Sequence, residues 1–131
     1  MKNHGAVQLT KFNGEFLIDH QIRALKSRFK NLKIILSCGF ESSRIWKHLK
    51  EKYKQLDIRL VENQLYRTTN SCEGIRLALM NTDSKNILIC SSANFFGKKH
   101  LDQLSFSDTS IFCQSAPGNK DDIKVYKKNF D

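Results

Sequence analysis

At 131 residues, 40% hydrophobic and 27% charged, the chain suits one domain with one core, and its composition excludes intrinsic disorder, collagen-like sequence and a disulfide-dense scaffold. Its apolar runs reach about five residues against the roughly 20 needed to cross a bilayer, and Met1-Lys2-Asn3-His4-Gly5 lacks the apolar stretch of a signal peptide. A soluble, cytoplasmic protein in a reducing compartment, with no membrane partner, is expected.

Taken in chain order, the first structural signal is the turn dipeptide Asn13-Gly14. Beyond it Ile18, Ile22, Leu25 and Phe29 recur at spacings of four, three and four, with Arg23, Lys26, Arg28 and Lys30 between them, which predicts a one-faced helix. Residues 33–37 form a short apolar run flanked by charge, the pattern of a strand buried on both faces, broken at Gly39. Ser42 or Ser43 is the expected cap of a second helix, with Ile45, Trp46, Leu49 and Tyr53 inward and Lys47, Lys50, Lys52 and Lys54 outward. Trp46 reads as a core anchor.

Residues 58–61 read as a second strand and 62–69 as a loop. Asn70 or Ser71 is the expected cap of a third helix, whose apolar face is Ile75, Ala78 and Leu79. A polar turn at 81–84 precedes a strand at 86–90, and 98–104 is a short helix. Residues 110–113 and 123–126 read as two further strands on either side of a turn at 116–119. Strands alternating with helices predict an α/β fold, a three-layer α/β/α arrangement with a mainly parallel sheet and right-handed crossovers.

Cys38, Cys72, Cys90 and Cys113 include no CxxC pair, so neither zinc nor a disulfide framework is expected. They read as reduced thiols, three of them ending apolar runs as small hydrophobes; Cys72 at a helix start also has the place of a reactive thiol, without a visible basic partner. His4, His20, His48 and His100 stand singly and read as surface or boundary residues rather than metal ligands.

The net charge of +9 is uneven. Between Arg23 and Arg59 lie eleven cations against Glu41, Glu51 and Asp57. Such a surface suits phosphorylated ligands or a polyanion. No aromatic-interleaved nucleic-acid motif accompanies it, and solvated helix faces in a lysine-rich, AT-rich genome such as a virus's account for the same charge.

Three segments together carry a resemblance: Phe12-Asn13-Gly14-Glu15-Phe16-Leu17-Ile18-Asp19-His20-Gln21-Ile22-Arg23-Ala24-Leu25, then Ile34-Ile35-Leu36-Ser37-Cys38-Gly39-Phe40, then Val61-Glu62-Asn63-Gln64-Leu65-Tyr66-Arg67-Thr68-Thr69-Asn70-Ser71. In this order and spacing they resemble the nucleotidyltransferases that activate sugar phosphates or phosphocholine, to about Leu104. The resemblance implies a Rossmann-like nucleotidyltransferase domain spanning residues 1–131, incomplete at its N-terminal strand. It also implies that Asn70 and Ser71 lie near a nucleotide, although a helix cap accounts for them equally well; the free N–H groups of a helix start favour an anion, which makes the turn from Thr68 through Thr69 and Asn70 to Ser71, with Arg67 nearby, the expected ligand site.

Two catalytic elements of that family have no counterpart here. Residues 5–10 contain no glycine-rich, arginine-ending loop for the triphosphate. The positions of the magnesium-binding aspartate turn are Ser91, Ser92 and Ala93, followed by Asn94 and Phe95 as packing residues. Magnesium needs hard oxygen donors, and electrostatic stabilisation is usually the largest catalytic term. The expectation is therefore a catalytically inactive domain with no catalytic residue, metal or cofactor, acting as a binding or assembly module through self-association or a protein partner, with a nucleotide or nucleotide sugar as possible ligand. An unpaired sheet edge invites such pairing. Two alternatives stand beside it: an active nucleotidyltransferase completed by a partner chain, using Mg2+ and a carboxylate such as Asp102, Asp108, Asp121 or Asp122, and a basic nucleic-acid-binding module.

Overall fold

The computed structural model describes residues 5–104 and 107. After a 3-10 turn at Val7–Leu9 the elements are β1 (Lys11–Phe12), β2 (Glu15–Phe16), α1 (Leu17–Arg28), β3 (Lys33–Cys38), α2 (Ser42–Lys52), β4 (Asp57–Glu62), α3 (Ser71–Leu79) and α4 (Lys98–Leu101). This is a mixed α/β chain with two small sheets. The expected strands at 110–113 and 123–126 and the turn between them lie outside the described residues.

β1 and β2 form a minimal antiparallel hairpin, Lys11 opposite Phe16 and Phe12 opposite Glu15. Asn13 and Gly14 between them have φ of 49° and 82°. Two positive φ values in a row are what a tight two-residue hairpin demands, and Asn-Gly meets that demand at little steric cost. The hairpin feeds straight into α1, where the Leu17 amide donates to the Thr10 carbonyl at 2.8 Å. Asp19 lies in the first turn of α1 and Lys26 and Arg28 in its last, each with the sign the helix dipole favours.

The parallel pair runs in register from Lys33 beside Asp57 to Cys38 beside Glu62. Ile18 and Ile22 of α1, Cys38 of β3, and Ile45 and Leu49 of α2 make the buried centre, with Ile34, Leu36, Ile58 and Leu60 packed against it. Side chains alternate across a strand; accordingly Ile34 and Leu36 serve this core, whereas Ser37 Oγ would lie 2.8 Å from a β-carbon placed on Gly74 of α3. Trp46 is half-buried beside the core and carries the Lys50 ammonium over its ring, 4.6 Å from the centroid. That completes a boundary anchor rather than a central one.

Two expectations are corrected. No side chain of Ser42 or Ser43 caps α2; Glu41 does so through its backbone, at φ 54° and ψ 29°. Its carbonyl accepts from the Arg44 and Ile45 amides, and its carboxylate accepts from the Ala6 amide at 2.6 Å and from Arg44 at 3.0 Å. Those contacts hold a left-handed conformation that L-residues ordinarily avoid. Residues 86–90 form no strand ladder. A ladder needs a partner backbone beside it, and the neighbouring β3 is separated from this segment by a groove.

Candidate functional site

Gln21, buried in α1, reaches the loop of residues 91–94. Its Nε2 donates to the carbonyls of Ser91 and Asn94, at 3.0 and 2.5 Å. The loop is closed on itself by the Asn94 amide donating to the Ser91 carbonyl at 3.2 Å and the Ala93 amide meeting Ser91 Oγ at 3.4 Å. Phe95 folds over the hairpin, its ring 5.3 Å from that of Phe12 and 5.6 Å from that of His20. Ser91, Ser92 and Ala93 thus offer hydroxyls and a methyl, with the Ser91 carbonyl already engaged by Gln21. Asp102, the described member of the substitute carboxylates, is occupied by Lys98 at 3.0 Å and Arg28 at 3.5 Å. Among the described residues no group of three His, Cys, Asp or Glu side chains is placed to hold a metal.

The second set, at 67–71, lies at the start of α3. Asn70 caps it, accepting from the Cys72 amide at 3.0 Å through Oδ1. Thr69 is used by the loop itself: its Oγ1 donates to the Leu65 carbonyl at 2.8 Å and accepts from buried Asn63 at 2.9 Å. Asn63 Oδ1 in turn takes the Leu65 amide, and its own amide donates to the Cys38 carbonyl. The loop is therefore tied to the end of β3 by a polar network. Arg67 lies against Tyr66, Nε to the phenol oxygen at 3.2 Å. Arg67, Thr69, Asn70 and Arg76 border a broad, shallow dish. Arg76 is paired with Glu73, so of the two guanidiniums in the dish only that of Arg67 is not ion-paired to a carboxylate among the described residues. No hydrogen bond or ion pair links this set to Ser91, Ser92 or Ala93 among the described residues.

No protein-family model, curated protein or solved structure matches this chain.

A cluster that periodicity did not reveal joins the first two helices. Asp19, 2% exposed, accepts from Tyr53 at 2.6 Å, from His48 Nε2 at 2.8 Å and from Lys52 at 3.2 Å. Burial pushes the Asp19 carboxyl up, but the bonds from Tyr53, His48 and Lys52 outweigh it and hold the group below the usual carboxylate range. The same burial, with Asp19 beside it, raises the Tyr53 phenol. The His48 ring also stands edge-on to Phe16, centroids 4.8 Å apart. Joining Asp19 of α1 to His48 and Lys52 of α2 and to Tyr53 at its end, the arrangement clamps α1 to α2. The one advance sign was an aspartate on the buried face of α1, four residues before Arg23, which is exposed and pairs with Glu15 instead.

Cys38 is buried at the end of β3, where burial first and then the nearby Glu62 push its thiol up to about 11. Cys72 is exposed in the first turn of α3. His20 bonds the Phe12 carbonyl at 2.8 Å and His100 accepts from the Gly97 amide at 3.0 Å, so these rings serve local turns.

Proposed function

We propose that the chain is a catalytically silent nucleotidyltransferase-like domain, its parallel pair part of a three-layer α/β/α design, that works as a binding or assembly module for another protein. The observation that carries this reading is the 91–94 loop: it is held firmly by Gln21, yet presents no carboxylate where phosphoryl transfer would need a metal. Phosphoryl transfer is catalysed almost wholly by positioning and charge compensation. The Arg67 dish supplies one guanidinium that is not ion-paired to a carboxylate among the described residues, with Glu73 in the same dish opposing an anion.

The test is incubation of the purified chain with radiolabelled nucleoside triphosphates, magnesium and sugar phosphates or phosphocholine, alongside thermal shifts of the same mixtures. No transfer of a nucleoside monophosphate unit and no magnesium-dependent stabilisation are expected. Transfer by the chain alone overturns the proposal.

A further inference from the structure

A groove of about 570 Å³ separates β3 from residues 84–92, with α1 as its floor. Ser84, Asn86, Leu88, Cys90 and Ser92 line one side, every second residue, which is the period of an extended chain. Across from them Ile34 and Leu36 line the other side, over Ile18, Ile22 and Leu25. β3 uses only one of its edges, paired to β4, among the described residues. The backbone of residues 85–90 takes no hydrogen bond among them at all. Among the described residues, the free edge of β3 and the unbonded backbone of 85–90 thus face one apolar floor.

Only another extended polypeptide supplies N–H and C=O groups to both sides at once while covering such a floor. The two flanks share one direction. Four residues reverse the chain between α1 and β3, so the start of α1 lies by the end of β3; Gln21, near that start, holds Ser91, so 84–91 runs the same way as β3. An occupant parallel to both puts its leading end at Lys33 and at Arg28, the latter also 3.5 Å from Asp102, and no acidic residue lines the groove among the described residues. A second copy, itself at +9, is the poorer match in charge.

We infer that this groove receives one extended strand from a separate protein, parallel to β3, apolar toward α1 and acidic at its leading end. The inference rests on the binding-module reading and names its partner's chemistry. The probe is a capped peptide of two aspartates followed by alternating valine and threonine, with hydrogen exchange as the readout. Amides in 33–38 and in 85–90 are expected to gain protection together, and a peptide N-methylated at alternate amides to give none. Lys33→Glu should weaken the aspartate peptide several-fold and favour a lysine-led one. Leu88→Lys should abolish protection; if that variant does not fold, the charge exchange at Lys33 still decides. Protection of one segment or neither, equal protection by the methylated peptide, or indifference to Lys33→Glu overturns the inference. That failure leaves the silent-domain reading standing, whereas nucleotidyl transfer by the chain removes that reading whatever the peptide does.

Discussion

Asp19 shows how much one buried charge does in this chain. Three donors from α2 and its end converge on a carboxylate that has left water almost completely. Removing the acceptor strands those donors, and breaking a buried pair typically costs about 3–5 kcal/mol. Asp19→Ala is expected to fall in that range in urea melts, and Tyr53→Phe to cost about 1.5–3 kcal/mol, the loss of one bond to a charged group. The carboxyl titrates lower in the folded chain than in the unfolded one. Its contribution is therefore complete above the unfolded value of about 4 and is lost as the pH falls through the lowered folded value. Melts between pH 7 and pH 3 should show wild type losing more stability than Asp19→Asn; parallel losses would show that Asp19 is not the group responsible. At neutral pH, alkylation should reach exposed Cys72 well before buried Cys38, whose thiol is pushed up to about 11.

At the scale of elements, chain ends and close approaches decide what forms. Asn70 satisfies one of the free amides of α3, and Asn70→Ala should cost about 1 kcal/mol while Asn70→Asp retains the cap. Gly39 follows β3 where a β-carbon would overlap the Tyr66 side chain. Gly39→Ala is expected to destabilise by about 1–3 kcal/mol, the usual range for overpacking. Gly74 differs, because the obstacle is the Ser37 hydroxyl alone. In a Ser37→Ala background, Gly74→Ala should stabilise α3 by about 0.5–1 kcal/mol, since alanine loses less backbone freedom in a helix. Denaturant midpoints check all three. Helix periodicity was readable because α1 and α2 each bury one stripe: Ile18, Ile22, Ile45 and Leu49 stand where spacing put them. The cap of α2 was not, because Glu41 holds its conformation through Ala6, 35 residues away.

Across the whole molecule, charge and the open groove act against each other. A net +9 keeps copies apart at low ionic strength, and screening shortens that repulsion to about 3 Å in molar salt. Any self-association through the open edge of β3 should therefore rise with salt. Light scattering across micromolar concentrations will show it, and a constant monomeric mass in all salts removes self-assembly. No helix among the described residues is long and apolar enough to cross a membrane.

The sequence by itself determined α1, β3, α2, β4 and α3 to within a residue or two, a turn at Asn13-Gly14 and a cap at Asn70 or Ser71, because each follows from local periodicity or from a side chain bonding its own neighbours; that the turn closes a hairpin and that Asn70 is the cap came from the structure. It also determined that Ser91, Ser92 and Ala93 bring no carboxylate. Only the tertiary structure decided that residues 86–90 form no ladder, that Thr69 is consumed by Asn63, that Asp19 anchors α2, and that a trough separates β3 from 84–92. Each of these depends on which distant backbone or side chain lies alongside, and an apolar run has the composition of a strand whether or not a partner is present to bond it.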